Sequence, residues 1–298
     1  MLNFKPIEPE DYQWLHPLLQ ESGYKTSPYS FVTLYMWSKV YNTQVAAVGE
    51  NHAVARSEKD GIMMYLYPAG RGEEREALEA VIEDMRSHGK PSLLYSVSED
   101  AKQRLEQWYP HLFELQAVRD DFEYIYDRQE LADLPGKKFQ KKRNHVSRFV
   151  RENPDWEFHP LTKESLPVVR EFNNQWASLE DNRQDEEIQV EHQAIEMLFD
   201  HFDQLPLQGG YVTAGGRVVA FSFGSPINEE VFDTNVEKGL YEVNGSYNII
   251  NREMARQVCQ NYRLINREDD VGSEGLRKAK LSYNPVLLET KYRAVFKG

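Results

Sequence analysis

One cysteine, Cys259, stands in 298 residues. Without a second thiol the chain has no internal disulfide and no thiolate metal cluster, which favours a reducing, cytoplasmic setting. It falls in a helical pattern, where a buried thiol is expected rather than a nucleophile. Long apolar runs are missing too. No stretch approaches the roughly 18 residues of a membrane span, and the opening Met-Leu-Asn-Phe-Lys-Pro lacks the apolar core of a signal peptide. Positive charge is scarce: 35 Lys and Arg face 48 Asp and Glu, for a net charge of -13. That balance argues against a general nucleic-acid or membrane coat but leaves room for one local basic patch. There is no His-Glu-x-x-His zinc helix, no Gly-x-Ser-x-Gly elbow, no Walker loop and no six-residue dinucleotide glycine fingerprint.

What is present suits a folded chain of one large or two ordinary domains: 40% of the residues are hydrophobic and 28% charged. In the first half, helical spacing covers residues 11–21, with Asp11 as cap, and 30–41. Three short strands follow at 44–48, 52–56 and 62–67, punctuated by Gly49-Glu50-Asn51 and Lys59-Asp60-Gly61 as hairpin turns. A helix carries Ala77, Leu78, Val81, Ile82 and Met85 on one face and stops at Gly89. Then come a buried strand at 92–97, a helix at 101–109 and strands at 112–118 and 122–126.

The second half repeats that order. It reads as a strand at 156–160, helices at 163–179 and 188–202, and a hairpin of 209–214 and 217–224 through Gly215-Gly216. A strand at 230–236, a helix at about 245–261, a strand at 262–265, a short helix and a last strand at 286–296 complete it. The expected class is α/β with mixed sheets covered by helices, in two similarly ordered domains, 1–128 and 129–298, divided near residues 127–135.

Between the halves lies the densest positive charge. Residues 137–151 read as a helix with Phe139, Val146, Phe149 and Val150 on one face and Lys141, His145, Arg148 and Arg151 on another. Lys141, Lys142 and Arg143 are candidate contacts for phosphates of a cofactor or an RNA end, since Lys and Arg neutralise phosphate charge. The alternative is a solvated amphipathic helix pairing with surplus acids. Asn244-Gly245-Ser246-Tyr247 feeds a helix start, so Gly245 and Ser246 are a second candidate anion or carbonyl site; an ordinary capped helix start is the other reading.

The stretch 266–280, Asn-Arg-Glu-Asp-Asp-Val-Gly-Ser-Glu-Gly-Leu-Arg-Lys-Ala-Lys, follows a strand. Three consecutive acids repel one another and glycine gives up backbone entropy, so such a segment is best explained by what it binds. A calcium loop fails on spacing, because a start at Asn266 puts Val271 where the invariant glycine belongs. We expect no metal.

Tyr124-Ile-Tyr-Asp127, the Leu-x-x-Leu-x-Gly-Lys-Lys-x-x-x-Lys-Arg-Asn run of 131–144 and the stretch from Asn266 to Tyr283 resemble the DUF2156 proteins. These are related to the C-terminal catalytic domain of phosphatidylglycerol lysyltransferase. Gly275-Leu-Arg-Lys-x-Lys, Pro285 and Lys291-Tyr292 are similar to that enzyme's Gly-Leu-Arg-x-Phe-Lys, Pro and Arg-Tyr ending, with Ala279 in place of the phenylalanine. The resemblance implies a tandem GNAT-like (acyl-CoA N-acyltransferase) fold and acyl or aminoacyl transfer.

Such transfer needs a base, donors to the carbonyl oxygen and compensation for donor phosphates. Glu268, Asp269 and Asp270 are candidates for the base or for holding an ammonium. Arg277, Lys278 and Lys280 are candidates for phosphate contact, and Tyr283 or Tyr292 for protonating a leaving group. The expected donor is a coenzyme A thioester or an aminoacyl-tRNA, with no tightly bound cofactor; the acceptor is a small molecule, a peptide or a lipid. The alternative is a GNAT-derived binding or regulatory protein without catalysis, in which the charged stretch is a structural ion-pair network.

Overall fold

The computed structural model describes residues 2–179 and 182–298. The chain divides into two compact units. Unit 1 holds the residues up to Tyr124, Glu268–Arg277 and Leu288–Gly298; unit 2 holds Ile125–Arg267 and Lys278–Leu287. The expected division at 128/129 therefore needs correcting, because two C-terminal segments belong with the first half. Strand Tyr292–Phe296 pairs antiparallel with both Ser92–Val97 and Phe113–Ala117, and its Ala294 is fully buried among Val54, Tyr65, Leu78 and Leu94. Removing that apolar surface from water, at about 25 cal/mol per Å², fixes the strand there.

Among the described residues, the sheet of unit 1 runs Lys5–Pro6, Gln44–Val48, His52–Lys59, Ile62–Leu66, Ser92–Val97, Tyr292–Phe296, Phe113–Ala117, with Ala69–Gly70 paired on His52–Lys59. Ile62–Leu66 and Ser92–Val97 are parallel, joined by the helix Arg75–His88. That helix buries the apolar face read from its 3.6-residue spacing and ends at Gly89, whose φ of +63° glycine adopts without penalty. The helix expected at 30–41 is two, Phe31–Met36 and Ser38–Tyr41, broken at Trp37, whose φ and ψ are -94° and 3°.

The second sheet runs Leu287–Glu289, Glu123–Asp127, Leu264–Asn266, Val231–Gly239, Arg217–Pro226, Gln208–Ala214, Glu157–Pro160. The single last strand expected at 286–296 is two, because one strand cannot pair in both sheets; between them Lys291 is buried against Glu123. A short helix, Arg128–Asp133, was not expected; Asp127 caps it by accepting from the Glu130 N–H at 2.9 Å. The basic segment is helical over Gln140–Glu152, with Phe139, Val146 and Phe149 buried as expected, but Val150 is exposed. Ser246–Glu253 begins the late helix, which widens to a π turn over Met254–Val258 and ends at buried Cys259. Burial pushes that thiol's pKa up, consistent with an inert side chain. Among the described residues, no helix is long and apolar enough to cross a membrane.

Candidate functional site

The charged stretch divides between the two units. In unit 1, Glu268 and Val271 take φ of 57° and 44°, a left-handed conformation costing a non-glycine residue about 1–2 kcal/mol. Asp270 holds the turn. Its side chain is fully buried, and its two oxygens accept from Arg277 Nε at 2.9 Å, Arg277 Nη2 at 2.8 Å, Tyr124 at 2.5 Å and the Gly272 N–H at 3.0 Å. Arg119 stands 3.3 Å away and also donates to Tyr124 at 2.8 Å. Arg277, above all, holds the Asp270 carboxyl well below the usual carboxylate range. An oxygen pair so occupied is a poor proton acceptor. Arg277 reaches on to Asp120 at 2.7 Å, so its charge is spent on two carboxylates.

Asp269, half-buried, lies 3.6 Å from Lys291 Nζ. Lys291 donates to buried Glu123 at 2.6 Å, and Glu123 also accepts from the N–H and hydroxyl of Ser27, both at 2.8 Å. Burial alone would lower the Lys291 pKa; the carboxylates of Glu123 and Asp269 hold it above its ordinary value. Tyr292 donates to Glu99, which raises its pKa. Asp269, Asp270, Arg277 and Tyr292 thus sit in unit 1, in ion pairs and hydrogen bonds of that unit, and Glu268 lies there too, its carbonyl accepting from the Tyr124 N–H at 3.2 Å.

In unit 2, Arg267 is the centre. Its Nη2 donates to Glu237 Oε1 at 2.7 Å, and its guanidinium lies over the rings of Tyr283 and Tyr126, 5.0 and 5.7 Å from their centroids. Burial works against its charge, but Glu237 more than offsets this and raises its pKa. Lys280 donates to the Arg267 carbonyl at 2.6 Å, and Tyr126 donates to the Lys280 carbonyl at 2.9 Å. Tyr283 is buried, its hydroxyl accepts from Asn248 at 2.6 Å, and burial pushes its pKa up to about 12. Lys142 turns inward, its Nζ 3.7 Å from the Tyr283 ring centroid. Burial, then repulsion from Arg267 and Lys141, brings its pKa down to about 8.

The backbone explains the gathering. Val231–Gly239 and Leu264–Asn266 are parallel and register from Val231↔Leu264 to Asp233↔Asn266. Beyond that pair they part, and Glu237 on one strand and Arg267 just past the other bridge the opening. Alternation puts Asp233, Asn235 and Glu237 on one face of the first strand.

Other expected site residues stand apart from this cluster. Arg143 donates to the carbonyls of Leu134 and Gly136 and to Gln140, closing the turn ahead of its helix. Gly245 and Ser246 do not form an open anion site. A Cβ on Gly245 would stand 2.8 Å from the His145 carbonyl, and Ser246, almost fully buried, donates to the Leu240 carbonyl at 2.9 Å. The helix start is packed against the basic helix. Lys141 and Lys278 are exposed, as are His145, Arg148 and Arg151. Glu237, Asn248 and Asn251 were not foreseen; the signal for Glu237 was a polar residue at every second position of a central strand.

The fold is the tandem GNAT arrangement of two mixed sheets flanked by helices. It recurs in a tandem GNAT protein from the clavulanic acid biosynthesis pathway, 11% identical, covering 100% of this chain and 99% of that one at a TM-score of 0.51. The chain belongs to the family described as phosphatidylglycerol lysyltransferase, C-terminal, whose pattern matches residues 20–295. The C-terminal domain (DUF2156) of a putative lysylphosphatidylglycerol synthetase from Agrobacterium fabrum has a TM-score of 0.70 at 13% identity, covering 97% of this chain and 92% of that one. A conserved protein of unknown function from Bacteroides thetaiotaomicron is 35% identical, covers both chains fully and has a TM-score of 0.95. An uncharacterised protein of Mycoplasmoides gallisepticum is 24% identical over 194 residues, or 62% of this chain; the match spans 60% of that relative's length.

Proposed function

We propose that the chain transfers an aminoacyl group from an aminoacyl-tRNA ester to an acceptor nucleophile, with the Arg267 cluster of unit 2 as the reacting centre. The observation that carries this reading is Arg267 itself. A guanidinium held by Glu237 at the parting of two parallel strands is a fixed donor for a carbonyl oxygen in a water-poor setting. The acceptor attacks the ester carbon, and Arg267 stabilises the resulting oxyanion. Collapse breaks the bond to the ribose oxygen. Lys142, with a pKa about 8, takes the proton from the acceptor in its neutral form and gives it to the departing hydroxyl. Tyr283 keeps its proton at neutral pH and positions Lys142 through its ring. The exposed Lys141, Arg148 and Arg151 meet donor phosphates. Family membership supports a transferase.

A second reading, a binding module without catalysis, is favoured by the Asp270–Arg277–Asp120 network, which accounts for Asp270 and Arg277 of the charged stretch by structure alone. Thermal-shift titrations with lysyl-tRNA, acetyl-CoA and coenzyme A, together with single-turnover loss of the aminoacyl ester, separate the two. Transfer predicts stabilisation by lysyl-tRNA and accelerated ester loss. Stabilisation without ester loss favours the binding module, and stabilisation by acetyl-CoA alone overturns the choice of donor.

A further inference from the structure

Two polar atoms of the unit 2 cluster are buried and make no hydrogen bond within the protein: Arg267 Nη1 and Asn251 Oδ1. Both belong to side chains tied to the same carboxylate, because Arg267 Nη2 donates to Glu237 Oε1 at 2.7 Å and Asn251 Nδ2 donates to Glu237 Oε2 at 3.1 Å. The tie also fixes which end of the Asn251 amide is which. A carboxylate only accepts, so the nitrogen faces Glu237 and the oxygen faces away. Asn251 is 4% exposed. The part-buried Glu237 carboxylate therefore holds two side chains that each keep one unpaired atom, a donor on Arg267 and an acceptor on Asn251. Leaving either unpaired costs the desolvation of that group, so the pair is best explained by a ligand carrying both an acceptor and a donor.

We propose that Asn251 and Arg267 form a subsite for the α-aminoacyl group, Arg267 Nη1 donating to the carbonyl oxygen and Asn251 Oδ1 accepting from the α-ammonium. This rests on the transferase reading and deepens it. An acyl group without an α-ammonium satisfies Arg267 and leaves Asn251 Oδ1 unpaired. Asn251 is thus a specificity-determining residue, selecting aminoacyl over simple acyl donors. A site that hydrogen-bonds a substrate N–H rejects the analogue lacking it, because its own buried group is then stranded. Glu237 strengthens the selection by adding negative charge beside the ammonium.

The test uses two stable amide probes that differ only in the α-ammonium, 3′-lysylamino-3′-deoxyadenosine and its 6-aminohexanoyl counterpart. Each is titrated calorimetrically into the full chain. The wild type should bind the lysyl probe roughly 10- to 100-fold more tightly, the scale of one hydrogen bond to a charged group. Asn251→Leu should lose that preference while keeping its affinity for the 6-aminohexanoyl probe; Asn251→Ser serves in its place if the leucine variant does not fold. Equal affinities in the wild type, or a preference unchanged in the variant, overturn the subsite alone. Failure of the wild type to bind either probe overturns it together with the transferase reading.

Discussion

Asp270 and Arg277 meet side-on, Nε to Oδ2 at 2.9 Å and Nη2 to Oδ1 at 2.8 Å, and the carboxylate is buried completely. Seven residues apart in sequence, they close the turn that carries Val271 in a left-handed conformation. Their pairing separates the two roles the charged stretch was expected to combine: Asp270 and Arg277 hold the loop, while Arg267 and Lys280 belong to the cluster of unit 2.

Asp270→Asn should destabilise the protein by about 3 kcal/mol at pH 7, the lower end of the cost of breaking a buried ion pair. The loss should shrink in acid. The folded-state pKa of Asp270 is depressed below the unfolded value of about 3.9. Its contribution is therefore present above about pH 4 and is lost as pH falls through the lower folded value. Urea titrations of both proteins at pH 7 and pH 3 check this: the gap between them should narrow at pH 3.

Lys142 acts in a higher pH window, and there the buried charge costs stability instead of adding it. Its folded pKa, about 8, lies below the unfolded value of about 10.4. Between these values the unfolded chain binds a proton that the folded chain does not, so stability rises with pH across that window. Lys142→Met should abolish the rise and stabilise the protein at pH 7, read as melting temperature against pH. The rate of ester loss in the wild type should climb through about pH 8, and the variant should lose that climb.

Gly245→Ala tests the packed helix start. The residue has φ +83°, and a Cβ would stand 2.8 Å from the His145 carbonyl and 3.1 Å from Phe149 Cβ. The variant should lose more than about 1 kcal/mol of stability in urea titrations. An unchanged midpoint would show that the basic helix does not press on this turn.

Much of the fold was legible because it rests on local periodicity. The face of Ala77, Leu78, Val81, Ile82 and Met85 is buried as read, and most strands lie within a few residues of their expected positions. The exchange of the last strand was not legible. Ala294 reads as an ordinary strand residue, and only the partners in Ser92–Val97 and Phe113–Ala117, far away in sequence, place it in unit 1. Clustered charge marked the stretch around Arg267 but said nothing of pairing: Asp120 lies 157 positions from Arg277, and Glu237 lies 30 from Arg267. For Gly245 the sequence leaves open an anion site or an ordinary helix start; only the folded chain shows that its missing side chain makes room for the His145 carbonyl.

Single-turnover loss of the aminoacyl ester from lysyl-tRNA, compared between the wild type and Arg267→Gln, tests the central claim most directly. If Arg267 donates to the developing oxyanion, the variant should lose about 10²–10³ in rate, as enzymes do when one such donor is removed, while retaining a cooperative thermal transition. A folded Arg267→Gln protein that turns over the ester at the wild-type rate would contradict the assignment of the reacting centre to unit 2.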